Sequence, residues 1–226
     1  MKKIAKMFLK VTLVIVILLI VCTIVFVLVA KDRDTNYSKY TETTGEIEVI
    51  YTGSGDSEVS YKEYDANDDV IVKYAIWYPS ELESNDNKYP VVIFANGTGS
   101  TSSTYTSFLK HLSSWGFIAV GNDDKNTRTG ASLEETVKFL IEENENKSSV
   151  FYQKIDLDNI GIGGHSQGGP AVFNMVTNQE HGYMIKTLYA ASATSSYHTA
   201  VMGDHWEYDI SKVKIPVFLT AGTGYW

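Results

Sequence analysis

The chain has 226 residues, 44% of them hydrophobic, and a formal net charge of −8. This length and composition allow one substantial core, while the acidic balance argues against nucleic acid as a partner. Cys22 is the single cysteine, which excludes a disulfide framework within the chain. Because no histidines and cysteines have the spacing of a zinc site, we expect neither a metal nor a cofactor.

The N-terminal 30 residues have the composition of a membrane anchor. Four lysines lie within residues 1–10, and residues 11–30 carry no charge. About 20 apolar residues span a bilayer core as a helix, and the preceding lysines favour a cytoplasmic N-terminus. We therefore predict a cytoplasmic stub and transmembrane signal anchor over residues 1–31. The alternative is a signal peptide cleaved near Ala30, although no Ala-x-Ala site is visible there.

A polar linker and an antiparallel edge are predicted after the anchor. The linker covers residues 32–45, and the folded domain is predicted over residues 46–226. Residues 46–51 alternate polar and apolar side chains, which is typical of a half-buried strand. Two further strands are predicted at residues 59–64 and 70–78, and we expect all three to form an antiparallel meander.

Strands and helices alternate along the rest of the chain, which predicts a largely parallel sheet with flanking helices. Ser132 and Glu135 are placed as a capping box for one of these helices, and residues 193–209 are predicted to be a long loop. The strands are predicted at residues 90–95, 117–120, 155–163, 185–191 and 214–222. The helices are predicted at residues 105–115, 133–143 and 171–176.

Two loops that follow predicted strands contain groups of chemical interest. Asn122, Asp123 and Asp124 could suggest a metal site, but no third ligand is evident, so a solvated loop is the favoured interpretation. Residues 96–100 are rich in glycine but lack the Gly-Lys-Ser/Thr ending of a phosphate-binding loop.

The motif with the clearest chemical meaning is Gly164-His165-Ser166-Gln167-Gly168. A short apolar run precedes it and a helix-compatible run follows, which is the strand–turn–helix setting of a nucleophile elbow. The two glycines stand where a Cβ would collide as strand and helix pass closely. We predict that Ser166 is a nucleophile exposed at the carboxyl edge of the sheet; the alternative is a structural Gly-rich turn.

Through this motif the chain resembles the α/β-hydrolase superfamily, and Gly-His-Ser-Gln-Gly-Gly is most similar to cutinases, polyester hydrolases and acetylhydrolases. The resemblance extends from about Ile71 to Trp226. It implies the α/β-hydrolase fold and a Ser-His-acid hydrolase, usually an esterase or lipase. It also implies an oxyanion hole formed by the backbone N–H groups of Thr98, after the strand at residues 90–95, and of Gln167. A plain connecting loop is the alternative for Thr98.

The same resemblance raises the question of the acid and the base. In this fold the chain order is Ser, then Asp or Glu, then His, which would place both expected partners beyond Trp226 and truncate the fold before its last strand. All five histidines, including His165 with its ring expected to point away from Ser166, are expected to be structural or at the surface. The disfavoured internal alternatives pair Asp204 or Asp209 with His198 or His205.

The predicted function is a membrane-anchored serine hydrolase that cleaves carboxylic esters through an acyl-enzyme at Ser166. The expected substrate is a small-molecule or lipid ester, and the expected location is the cell membrane, with one span and the hydrolase domain outside the cytoplasm. The alternatives are an inactive, truncated hydrolase-like domain and a serine peptidase or acyltransferase, since all of these share the elbow.

Overall fold

A computed structural model describes residues 2–66, 70–201, 203 and 206–222 of the chain. The chain divides into two compact units, Met1–Gly53 and Ser54–Trp226.

The first unit consists of helices. Helix α1 spans Lys2–Thr35, α2 spans Tyr37–Tyr40 and α3 spans Glu46–Thr52. Among the described residues, α1 is the one helix long and apolar enough to cross a membrane, and a signal sequence would share these properties. Its apolar side chains from Met7 to Val29 are exposed, whereas a helix that is hydrophobic on every face is normally buried in a protein core or in a membrane.

The prediction of a strand at residues 46–51 is wrong, because this segment forms α3. The Glu48 carboxylate accepts hydrogen bonds from the backbone N–H groups of Thr44 and Gly45, at 2.9 and 3.1 Å. These bonds satisfy donors at the start of the helix that would otherwise lack acceptors. A helix forms its backbone hydrogen bonds within its own segment, whereas a strand forms them with a neighbouring strand.

The described part of the second unit contains a seven-stranded sheet in the order β1-β2-β4-β3-β5-β6-β7. Strands β1 and β2 are antiparallel to each other, β2 is antiparallel to β4, and the remaining pairs are parallel. The strands are β1 Val59–Asp65, β2 Lys73–Pro79, β3 Tyr89–Ala95, β4 Ile118–Asn122, β5 Ile155–His165, β6 Ile185–Ala191 and β7 Val217–Thr220. The helices are α4 Thr106–Ser114, α5 Ala131–Glu145, α6 Gly168–Asn178 and α7 Ser196–Val201.

Helices on both faces of the sheet bury its central strands. On β3, Ile93 belongs to the core cluster that contains residues of α5 and α6, whereas Phe94 packs with Leu109 of α4. This division follows from the alternation of side chains along a strand. Burial of one such apolar side chain contributes about 1.5–3 kcal/mol. The predicted sheet with flanking helices is therefore confirmed; it was expected to be largely parallel, and four of its six described strand pairs are parallel while two are antiparallel.

Two local predictions in this unit are wrong. Ser132 does not cap α5: the helix begins after Gly130, and the Ser132 hydroxyl is buried without a hydrogen-bond partner among the described residues. Gly130 has φ +78°, and a Cβ there would lie 2.7 Å from the Met175 backbone nitrogen, so packing against α6 determines where α5 starts. The loop predicted at residues 193–209 also contains α7.

Candidate active site

Ser166 occupies the sharp turn between β5 and α6. Its φ is +54°, in the left-handed region that non-glycine residues rarely adopt. The Ser166 N–H donates to the Ala191 carbonyl at 2.9 Å, and the Ser166 carbonyl accepts from Gly169 and Thr194 at 3.0 and 3.1 Å. Strain of about 1–3 kcal/mol persists only where the surroundings hold the backbone in place. These three hydrogen bonds hold the turn, and the serine remains partly exposed.

The glycines around this turn allow three close backbone approaches. A Cβ on Gly164 would lie 2.0 Å from the Gly168 carbonyl oxygen, and one on Gly168 would lie 2.2 Å from the Ala95 carbonyl oxygen. A Cβ on Gly169 would lie 2.3 Å from the Cβ of Ala193. The predicted close passage of strand and helix is confirmed, and it extends to β3 and to the loop after β6.

Thr98 and Gln167 lie at the carboxyl ends of neighbouring strands, since Ala95 of β3 pairs with Gly164 of β5. In the loop after β3, the N–H groups of Gly97 and Gly99 are occupied by the Tyr105 hydroxyl and the Lys125 carbonyl, at 2.9 and 3.1 Å. By contrast, the N–H groups of Thr98 and Gln167 have no acceptor within the described part of the chain. Neither N–H group is therefore committed to an acceptor in that part of the chain.

A buried polar network supports the loop that carries Thr98. Asn96 is fully buried, and its Nδ2 donates to the carbonyls of Asn122 and Asp124 at 2.8 and 2.9 Å. The Asn96 carbonyl accepts from the Thr127 hydroxyl at 2.9 Å. The Asn96 amide and the Thr127 hydroxyl therefore link the loops after β3 and β4.

The prediction that Asn122–Asp124 form a solvated loop is wrong for two of the three residues. Asn122 is fully buried and Asp124 is 4% exposed. The Asp124 carboxylate accepts from the Asn126 backbone N–H at 2.7 Å, and the Asp124 N–H donates to Asn122 Oδ1 at 3.1 Å. Hydrogen bonding to the backbone compensates for the loss of water around these groups.

The Gln167 side chain forms hydrogen bonds with the loop after β4. The residues involved, Asn126 and Arg128, were not predicted from the sequence. Gln167 Nε2 donates to Asn126 Oδ1 at 3.2 Å, and the same oxygen accepts from Arg128 Nη1 at 2.7 Å. The Arg128 guanidinium lies 5.5 Å from the centre of the Trp206 ring. Asn126 and Arg128 follow β4 at the carboxyl edge of the sheet, which is the positional signal that could have drawn attention to them.

Three histidines in the described ranges have hydrogen-bond partners other than the Ser166 hydroxyl. His165 Nδ1 lies 3.0 Å from the Tyr105 hydroxyl, and His198 Nδ1 lies 3.1 Å from the Ser195 hydroxyl. His181 Nδ1 lies 2.6 Å from Glu134 Oε1. No histidine in the described ranges forms a hydrogen bond with Ser166.

The internal candidates for the catalytic acid and base are not supported as partners of Ser166 by the described residues. Asp204 and His205 lie outside the described residues. Asp209 accepts hydrogen bonds from the hydroxyl and N–H of Ser211, and these bonds hold the pKa of the Asp209 carboxyl below its usual range. This carboxylate therefore caps a short turn. An acid and a base beyond Trp226 remain a prediction.

Glu134, Glu180 and His181 could offer ligands to a metal, because one ligand atom of each lies within 4.8 Å of the others. The Glu134 carboxylate is nevertheless already engaged within the protein: it accepts from the His181 ring and backbone N–H and lies 3.7 Å from Lys138 Nζ. Burial raises the pKa of Glu134, but these hydrogen bonds and charges outweigh burial and lower it. The group fits an ion-pair network that joins α5 to the segment after α6.

A mixed sheet with flanking helices and a Gly-x-Ser-x-Gly turn after β5 are the features of an α/β-hydrolase. The family model for chlorophyllase matches residues 75–191, just over half of the chain. The chain therefore belongs to the chlorophyllase family, an ester-hydrolysing family of the α/β-hydrolase superfamily. No curated protein matches it. The finer resemblance to cutinases and acetylhydrolases remains a prediction.

Proposed function

We propose that this protein is a membrane-anchored serine esterase that acts through an acyl-enzyme at Ser166. The observation that carries the proposal is the backbone of Ser166, which has φ +54° and is held at the carboxyl edge of the sheet by three backbone hydrogen bonds. An elbow of this kind presents the serine hydroxyl to a substrate while the strand and helix behind it stay closely packed.

In the proposed mechanism, the Ser166 oxygen attacks the ester carbonyl and passes its proton to a general base. The resulting oxyanion accepts hydrogen bonds from the N–H groups of Thr98 and Gln167, for which the described chain provides no acceptor. The alcohol leaves with a proton returned by the base, and water then hydrolyses the acyl-enzyme. Following the resemblance, we place the base and its orienting acid beyond Trp226.

A fluorophosphonate probe tests the nucleophile directly in the full-length natural protein. Labelling is expected for the wild type and is expected to be lost in Ser166→Ala. Ser192→Ala is a matched control, because Ser192 is another exposed serine with positive φ, +46°, at the carboxyl end of the next strand. Equal labelling of wild type and Ser166→Ala would overturn the assignment.

The reaction class is tested with matched substrates. An esterase should hydrolyse p-nitrophenyl acetate much faster than p-nitroacetanilide, which offers the same acyl group on an amide. Faster cleavage of the anilide would favour a peptidase. Transfer of the acetyl group to an added alcohol in preference to water would favour an acyltransferase, and no labelling or turnover at all would favour an inactive binding domain.

A further inference from the structure

A concavity lies on the same edge of the sheet as Ser166. It has a volume of about 410 Å³ and lies between strands β1 and β2 and the segment that leads into α4. Lys73 and Asp123 mark its position on the edge: the Asp123 N–H donates to the Lys73 carbonyl at 3.2 Å, next to the β2–β4 pair Tyr74 and Asn122. We call it the β1–β2 cavity.

The β1–β2 cavity lies close enough to the serine for one substrate to reach both. Its residue Thr101 follows Thr98 on the same loop. Its residue Asp123 follows β4, which is separated from β5 by the single strand β3. With strands about 4.8 Å apart, these positions correspond to a separation of about 10 Å along the sheet edge. An ester bound at Ser166 could therefore place another part of the molecule in the cavity.

One wall of the β1–β2 cavity is aromatic. Tyr61 and Trp77 are cross-strand partners on the same face, with ring centroids 4.8 Å apart. Trp77 is 6% exposed, whereas Tyr61 is 48% exposed and offers its ring to a ligand. The Tyr61 hydroxyl donates to the Glu63 carboxylate, which orients the phenol. A flat apolar ring of this kind favours a ligand with a flat C–H surface.

The other walls carry hydroxyl and carboxylate groups. The hydroxyls of Thr101 and Ser103 lie 2.8 Å apart, and the carboxylates of Glu63 and Asp123 line the cavity beside them. The Lys73 ammonium lies 3.1 Å from Glu63. A purely aliphatic ligand would remove these groups from water without replacing their hydrogen bonds, which is costly. A cationic ligand would be repelled by Lys73, and an anionic ligand would be repelled by Glu63 and Asp123.

We infer that the β1–β2 cavity binds a polyhydroxylated group, such as a sugar ring, so that the ester substrate is an acylated saccharide or polyol. This inference rests on the proposed esterase function. Sugar hydroxyls can donate to the two carboxylates and accept from Lys73 and the threonine and serine hydroxyls. The less polar face of a sugar ring can pack on Tyr61.

The first experiment compares two esters in the full chain. One is cellobiose octaacetate and the other is p-nitrophenyl acetate, which has no sugar. Tyr61→Ala is expected to raise KM for the sugar ester about tenfold, with little change in kcat and unchanged kinetics on p-nitrophenyl acetate. Tyr61→Phe, which keeps the ring, should stay within about twofold of the wild type. Tyr183→Ala is the matched control, since Tyr183 is exposed and lies outside the cavity.

A second experiment separates this inference from the proposed function. Cellobiose, xylobiose and N,N′-diacetylchitobiose are titrated into Ser166→Ala, followed by NMR or calorimetry. At least one should bind, and its affinity should fall about tenfold in Ser166→Ala with Tyr61→Ala but be kept with Tyr61→Phe. Failure of all three to bind would overturn the inference even if esterase activity is found. Binding without any Ser166-dependent turnover of esters would overturn the proposed function, and with it the ester substrate, but would leave the sugar-binding cavity established. Equal effects of Tyr61→Ala on both esters would also contradict a sugar subsite.

Discussion

The Cβ position of Gly164 lies 2.0 Å from the carbonyl oxygen of Gly168, directly across the turn that carries Ser166. Atoms at this separation cannot both be present without movement of the backbone. The last residues of β5 and the first turn of α6 are therefore in contact, and no side chain can be inserted between them. This contact makes the position of Ser166 sensitive to a single methyl group.

Gly164→Ala is expected to destabilise the protein by about 1–3 kcal/mol, because the added methyl group forces strand and helix apart. It should also reduce fluorophosphonate labelling by displacing Ser166. Chemical denaturation of the detergent-solubilised chain and probe labelling measure the two effects. Gly222→Ala is the control, since a Cβ there meets no atom within 4 Å. Wild-type stability and labelling in Gly164→Ala would contradict the close packing.

Thr98→Pro is expected to reduce kcat about 100- to 1000-fold, because it removes one of the two proposed oxyanion donors. Such a donor is worth about 2.7–4 kcal/mol of transition-state stabilisation. Thr98→Ala retains the N–H and should change kcat by less than about threefold, which makes it the matched control. Ester turnover under saturating substrate measures both. A proline variant as active as the alanine variant would rule out Thr98 as a donor.

Asn96→Ala is expected to destabilise the domain by about 2–4 kcal/mol, because it leaves the buried carbonyls of Asn122 and Asp124 without their donor. Ester turnover should fall as well, because Asn96 supports the loop that carries Thr98. Asn87→Ala, at an exposed position before β3, should be neutral in both denaturation and kinetics. A stable Asn96→Ala variant with normal turnover would show that the network supports neither property.

Glu134→Gln is expected to lower the free energy of unfolding by about 1–3 kcal/mol at neutral pH, because the carboxylate accepts two hydrogen bonds from His181. The pKa of Glu134 is lowered in the folded chain. Its stabilising contribution is therefore complete above the unfolded-state pKa of about 4.3 and is lost as pH falls through the folded-state pKa. The difference in unfolding free energy between wild type and variant should shrink below about pH 4.3.

Chemical denaturation between pH 3 and 7 measures this dependence. Lys138 and Glu180 also face the Glu134 carboxylate; because the variant lacks the Glu134 charge, their interactions with that charge are part of the measured difference. Glu142→Gln, at an exposed position of the same helix, should change stability by less than about 0.5 kcal/mol throughout. A difference for Glu134→Gln that stays constant down to pH 3 would contradict the stated linkage.

The proposed anchor predicts a defined pattern of proteolysis. Protease added to intact cells is expected to digest the domain that follows Lys31 and to leave a small stub in the membrane, because the preceding lysines favour a cytoplasmic N-terminus. Cells opened before treatment should lose the N-terminal residues too. Release of an intact soluble domain without protease would instead indicate cleavage near Ala30.

Several features were determined by neighbouring residues and could be predicted from the sequence alone. The apolar run of β3 shows burial on both faces. The glycines around Ser166 predict a close turn between strand and helix, and the structure has both. Each of these signals lies within about a dozen residues, where backbone geometry and side-chain periodicity act directly.

Other features depended on residues distant in sequence, and only the tertiary structure decided them. Residues 46–51 alternate like a strand but form α3, because strand formation also requires a neighbour. Asp124 was predicted to be solvated, but in the structure it is buried, and Asn96 donates a hydrogen bond to its carbonyl. The β1–β2 cavity joins Tyr61 to Asp123 across three strands. Periodicity describes one segment at a time, whereas burial and cavity walls arise from contacts between segments, which folding alone brings together.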